Sequence, residues 1–272
     1  MQDAGYVITE RMRPGGPGSL WRHRGLLASL ALKEIQVRYR QALLGVAWAL
    51  LQPVALMLVT TFVFHRMLDV SSGRTPYPIF AFAALVPWTY FHTAVTGAVP
   101  SLVSNADLVR KIWFPREALP LSHVLAVLLD LGVGLVLFLV LALASGARPT
   151  VAWLTIPGLL LVLVATTAAV ALLFSAINVY FRDVKHALPL LLQVVFFATP
   201  IVYPLSSVPD AWRGAFALNP LTAVVAGMRR TVLDGRMPDG ALTGTGAAVA
   251  LVLLTLAWLV FRRAERRFAD VV

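Results

Sequence analysis

The chain has 272 residues, 59% of them hydrophobic and only 13% charged, with a formal net charge of +10 and no cysteine. A mean hydropathy of +0.79 excludes an ordinary soluble domain, and the lack of cysteine removes disulfides and thiolate metal sites. Nucleic acid is not implied, because the basic residues sit beside apolar runs, where anionic headgroups and topology account for them.

Residues 1–19, with Pro14, Gly15, Gly16, Pro17 and Gly18, read as a flexible cytoplasmic tail. Residues 20–41 predict an amphipathic helix lying in the membrane surface. Arg22, Ser29, Lys33, Gln36 and Arg40 share one face, and Leu26, Leu27, Leu30 and Val37 are apolar. It serves either as a basic anchor or as a platform for a cytosolic partner. This segment is too long and too charged for a cleavable signal peptide.

Residues 42–272 form one transmembrane unit. A membrane-crossing helix needs roughly 20 apolar residues, and six runs qualify: Leu43–Phe64, Ile79–Val99, Leu119–Ala144, Val151–Ile177, Ala187–Tyr203 and Leu242–Phe261. The fold class is therefore an all-α polytopic membrane protein. Orientation follows from lysine and arginine. The N-terminal segment, the second and fourth loops and the C-terminal tail hold 16 of them, against 7 on the other side. Both termini are expected in the cytoplasm.

Gln52–Pro53 predicts a kink or local unwinding in the first span. Pro87, Trp88, Tyr90 and Phe91 in the second read as an interfacial belt or as the lining of a passage. The next loop, Ser104 to Glu117, predicts a short helical stub carrying Leu108, Val109, Ile112, Trp113 and Phe114, ended by Pro115. So apolar a stub either tucks against the membrane or docks in a groove of another protein. Asp130 is the one acid deep in a span. A lone acid argues weakly for proton coupling, so it reads as a structural polar contact at a helix or subunit interface. Residues 204–242 are expected outside. There, Val208–Leu218 and Pro220–Leu233 predict two short re-entrant helices joined at Asn219–Pro220.

No catalytic constellation is visible. There is no Gly-x-x-x-x-Gly-Lys-Ser/Thr loop, so any nucleotide is hydrolysed elsewhere. His23, His65, His92, His123 and His186 lack metal-ligand spacing.

An ordered series of short motifs then becomes recognisable. It comprises Arg38-Tyr39-Arg40, Leu44-Gly45-x-x-Trp48, Gln52-Pro53, Pro87-Trp88-x-x-Phe91 and Ser104-Asn105-x-x-Leu108-x-x-Lys111-x-x-Phe114-Pro115 with Leu119-Pro120. Tyr180-Phe181-Arg182-Asp183-Val184, Thr199-Pro200-x-x-Tyr203 and Leu218-Asn219-Pro220 with Arg229 follow. Over about residues 30–240 this resembles the transmembrane permease subunit of ABC-2-type ABC transporters, in the branch exporting O-antigen, teichoic acid and capsular polysaccharides. The resemblance implies an ATP-driven exporter, not an enzyme, in the bacterial plasma (inner) membrane. It implies a homodimer with two cytosolic ATPase subunits that hold ATP and Mg, with no cofactor on this chain. The cargo implied is a polysaccharide, on an undecaprenyl-type lipid carrier.

By the same resemblance, Lys33, Arg38, Leu108, Arg110, Lys111, Trp113 and Phe114 would couple to the ATPase. Asn219, Pro220 and Arg229 would form an external gate. From their place on the second short helix, Arg229 and Arg230 are expected to meet lipid phosphates or acidic groups on the polymer. The first and fifth spans would face the conduit. A sliding sugar polymer favours aromatic faces, which makes Trp48, Phe196, Phe197 and Tyr203 the conduit candidates; a lipid-facing role stays open for each. The rivals are an ABC-2 exporter of drugs or lipids and, from another class, a membrane-embedded glycosyltransferase, which would need paired carboxylates or a metal at the membrane face.

Overall fold

A computed structural model describes residues 23–40, 47–69, 75–111 and 114–268. The tail 1–19 and Trp113 lie outside the described residues. Those described form helices and turns with no strand, as an apolar environment demands, since a helix satisfies its backbone groups within itself.

In chain order the elements are α1 (Arg24–Tyr39), α2 (Ala47–Thr60, continued as a π-helix over Thr61–Met67), α3 (Tyr77–Ala98), α4 (Ser101–Ser104) and α5 (Ala106–Lys111). Then come α6 (Ala118–Ala126), α7 (Leu128–Ala144), α8 (Ile156–Tyr180), α9 (Val184–Phe197), α10 (Asp210–Ala217), α11 (Pro220–Met228, continued as a π-helix over Arg229–Leu233) and α12 (Gly240–Glu265). Among the described residues, five segments are long and apolar enough to cross a membrane: Leu50–Met67, Tyr77–Ala98, Ala118–Ala144, Val151–Tyr180 and Gly240–Glu265. The remaining expected span, the fifth in order, Ala187–Tyr203, is instead the fourteen-residue α9. At 1.5 Å per residue it measures about 21 Å, short of the ~30 Å hydrocarbon layer. The apolar run continues, but Ala198–Tyr203 forms turns.

The span α3 is the centre of the bundle, with 78% of its apolar window buried, whereas only 11% of the α2 window is. The Gln52–Pro53 step does not break α2, which runs helically through it. The irregularity comes later, where the Thr60 and Thr61 hydroxyls donate to the Leu56 and Met57 carbonyls and the helix widens to π geometry. The helix α1 packs along α6, so it runs beside the third span rather than across the end of the bundle. Ser29, Lys33, Gln36 and Arg40 are exposed, but so are Leu26, Leu32 and Val37.

The bundle has two distinct ends. One carries the start of α1, the α4–α5 loop and the end of α12; it is the terminal end. The other carries α10, α11 and the connections before α3, α8 and α12; it is the hairpin end.

Candidate functional site

At the terminal end, the stub folds as α4 and α5 and turns its apolar side inward. Val109 and Phe114 are buried in a cluster with Leu102, Leu119, Phe261 and Phe268, and Leu108 packs against it. The Phe261 and Phe268 rings meet edge to face at 5.4 Å. This corrects the expectation that Phe114 docks in a partner's groove: its ring is part of this chain's own core. What the stub presents outward is Asp107, Arg110 and Lys111.

Two arginine–carboxylate contacts clamp the stub to α12. Arg262 Nη2 lies 3.0 Å from Glu117 Oε1, and its guanidinium stacks over Trp258 at 4.9 Å. Arg116 donates through Nη1 to the Glu265 carbonyl and through its amide to Glu265 Oε1. Glu117 is fully buried, and its oxygens make no well-aligned hydrogen bond despite the nearby guanidinium. Burial therefore pushes its carboxyl above the ordinary range, assisted by the charge of Glu265 and only partly offset by Arg262.

On α1, Lys33 is exposed, but Arg38 turns inward to Asp130, with Nη1 2.7 Å from Oδ2. Arg38 is therefore only partly exposed, and Asp130 makes a polar contact at a helix interface. No single-residue pattern reveals this pairing; the signal was two charges of opposite sign next to apolar runs.

Of the conduit candidates, Trp48 has a side chain outside the described residues. Phe196 is packed edge-on against Trp88 at 5.3 Å and against Phe197 at 5.2 Å. The Tyr203 hydroxyl donates to the Phe197 carbonyl at 2.6 Å. Phe197 is 52% exposed and presents its ring outward, together with Leu190, Leu191 and Val194 on the same helix.

At the hairpin end, the two short helices meet at Asn219–Pro220 as expected. Asn219 caps α11 by accepting from the Leu221 amide at 3.0 Å, and its Nδ2 donates to Thr199 Oγ1 at 2.9 Å. Proline at the first helical position needs no partner for a missing N–H. The helix α11 fits tightly because Gly246 lets it approach α12: a Cβ there would stand 2.5 Å from that of Ala223.

Arg229 departs from expectation. It is 8% exposed and meets neither lipid nor a passage. Its guanidinium lies 3.5 Å over the Phe80 ring and donates to the carbonyls of Phe80 at 3.1 Å, Pro200 at 2.7 Å, Tyr203 at 3.3 Å and Ile201. One planar fork thus satisfies the turn that cuts α9 short. Tyr77 adds a hydrogen bond to the Val202 carbonyl at 2.6 Å.

The apolar bundle thus has a clamped stub at one end and a pinned helical hairpin at the other, and the sequence comparison decides its kind. Residues 26–233 match the family described as ABC-2 type transporter. The chain belongs to that family. This ABC-2 protein is a transport permease subunit, not an enzyme. It is 36% identical over 253 residues to the O-antigen export system permease protein RfbA of Myxococcus xanthus, covering 92% of this chain and 96% of the relative. It is 27% identical to an RfbA of Klebsiella pneumoniae, over 91% and 95% of the two chains. The polysialic acid transport protein KpsM of Escherichia coli shares 25% identity, over 87% and 92%.

Proposed function

We propose that this chain is the membrane-spanning, channel-forming subunit of an exporter that moves a polysaccharide across the bacterial inner membrane, driven by ATP hydrolysed on separate cytosolic subunits. The observation that carries this reading is the likeness, over nearly the full length of both chains, to a permease of an O-antigen export system. The terminal end faces the cytoplasm. There Lys33, Arg110 and Lys111, all exposed, form the docking face for the ATPase, which binds ATP and Mg.

Two copies of the chain enclose the conduit. The apolar residues left uncovered on α2 (Leu51, Leu58, Val59, Phe62) and α9 (Leu190, Leu191, Val194, Phe197) support this. Bare faces on these two helices, both packed against α3, suit a second copy on one side and the passage on the other. Phe197 offers a stacking face to a sliding sugar chain, and the α10–α11 hairpin closes the outer exit. The polymer travels on an undecaprenyl-type carrier.

The test is deletion of the gene in its host. Polymer should accumulate in the cytoplasm and disappear from the cell surface, and a plasmid copy should restore it. Normal surface polysaccharide in the deletion strain, with efflux of a drug or lipid impaired, would give the assignment to the rival exporter class.

A further inference from the structure

Five ionisable side chains meet along the seam between α1 and the third span, and the transport reading uses none of them there. Glu34 Oε2 lies 3.7 Å from His123 Nδ1. One turn further along α1, Arg38 Nη1 lies 2.7 Å from Asp130 Oδ2, and the Tyr39 hydroxyl donates to Oδ1. Residue numbers rise together on both helices, so α1 and the span run in the same direction and are tied at two levels. The side chains are largely hidden, Asp130 at 13% exposure and Arg38 at 29%. A third helix holds the seam: a Cβ on Gly97 of α3 would stand 2.8 Å from His123 Nδ1, so α3 backs the ring directly. Beside the upper pair opens a cavity of about 340 Å³, lined also by Gln52, Thr89 and Thr93.

A seam of leucines would hold two helices together at lower cost, because buried charges must first be desolvated. Apolar contacts, however, tolerate sliding, whereas a charge-assisted bond at 2.7 Å fixes both distance and register. The chain nonetheless places an aspartate within a span at this seam and meets it with the helix that also carries the exposed Lys33. We infer that the Arg38–Asp130 pair, with Tyr39 and the Glu34–His123 contact, gears α1 to the third span, so that a displacement of α1 by the ATPase moves the span with it. Asp130 is a positioning residue in this scheme; it touches no cargo. The inference rests on the ABC-transporter reading and is independent of which polymer is carried.

The experiment uses the complete transporter, permease with its ATPase, in vesicles loaded with substrate. Asp130→Asn and Arg38→Gln should each assemble with the ATPase and hydrolyse ATP near the wild-type rate, yet export about tenfold less polymer per ATP. The exchange Arg38→Asp with Asp130→Arg should recover export to within about threefold of wild type. Normal export by the single variants, or an exchange no better than either, overturns the gearing. A second measurement does not depend on those variants folding. The chain has no cysteine, so Glu34→Cys with His123→Cys can be bridged by a short bifunctional thiol reagent. Export unchanged by bridging agrees with a rigid seam, and export abolished by bridging shows that α1 must slide, which contradicts it. Failure of the wild type to export polysaccharide would sink the functional reading instead, so the two failures are distinguishable.

Discussion

The two ends of this permease are held by opposite chemistry. At the hairpin end, one buried guanidinium bonds four neutral carbonyls, and side-chain amides and hydroxyls finish the turn. At the terminal end and along the seam that leads inward from it, carboxylates face guanidiniums: Glu117 with Arg262 at the end itself, and Asp130 with Arg38 deeper along the third span. Carbonyl acceptors do not titrate and are fixed by the backbone, so the hairpin end is pinned in one arrangement. Charge pairs between separate helices weaken when one partner is protonated or displaced, and they carry force along a defined direction. The contrast fits the proposed orientation, with a closure outside that must hold shape and an inner end that must respond.

Substitutions can break this contrast, beginning where the largest effect is expected. Arg229→Met strips the partners from four carbonyls in the 80 and 200–203 segments, and a loss on the order of 5 kcal/mol follows from orphaned buried acceptors. Little folded protein should be recovered on size exclusion. Arg229→Lys should rescue poorly, because an ammonium lacks the planar fork.

Next comes the close approach of α11 to α12. Gly246→Ala drives a methyl into Ala223, and overpacking of this kind costs about 2–3 kcal/mol. Gly227→Ala meets only the Leu159 side chain, most closely its two methyls, which yield more easily than a Cβ fixed to the backbone, so its melting temperature should fall less.

Asn219→Ala removes a helix cap, a loss of about 1 kcal/mol, together with the tie to Thr199. If the hairpin closes the exit, the reconstituted complex should also pass more ionic current without ATP. Unchanged conductance would leave the hairpin as scaffold alone.

The smallest effect belongs to Glu117, and its sign is informative. Because burial raises its pKa in the fold, the native state holds the proton more tightly than the unfolded chain. Stability therefore falls as pH rises from the ordinary carboxylate range through the raised value. Glu117→Gln should match wild type in acid and melt higher at neutral pH. A higher wild-type melting temperature at neutral pH would show that the attraction of Arg262 outweighs burial.

What the sequence made legible was whatever local patterning controls. Hydropathy located five spans, and Asn219–Pro220 marked the joint between two short helices, because a cap and a proline act within a few residues. The shortness of α9 was hidden. Its run stays apolar through Tyr203, and the turn that ends it is stabilised by Arg229, 26 to 29 residues away. Arg229 itself read as a surface charge, since its aim depends on Phe80, 149 positions earlier. The inward turn of Phe114 was equally invisible: an apolar stub looks the same whether its groove belongs to a partner or to α12.

The division of labour between the ends is tested most directly by accessibility of single cysteines to a membrane-impermeant thiol reagent. Met237 is the better reporter for the hairpin end, because Gly235 sits at φ +64, where a side chain is strained. Met237→Cys should label in intact cells. Lys111→Cys should label only in inverted vesicles, and the bound ATPase subunit should protect it there. Labelling of Lys111→Cys in intact cells, or equal labelling in inverted vesicles with and without the ATPase, would contradict the account.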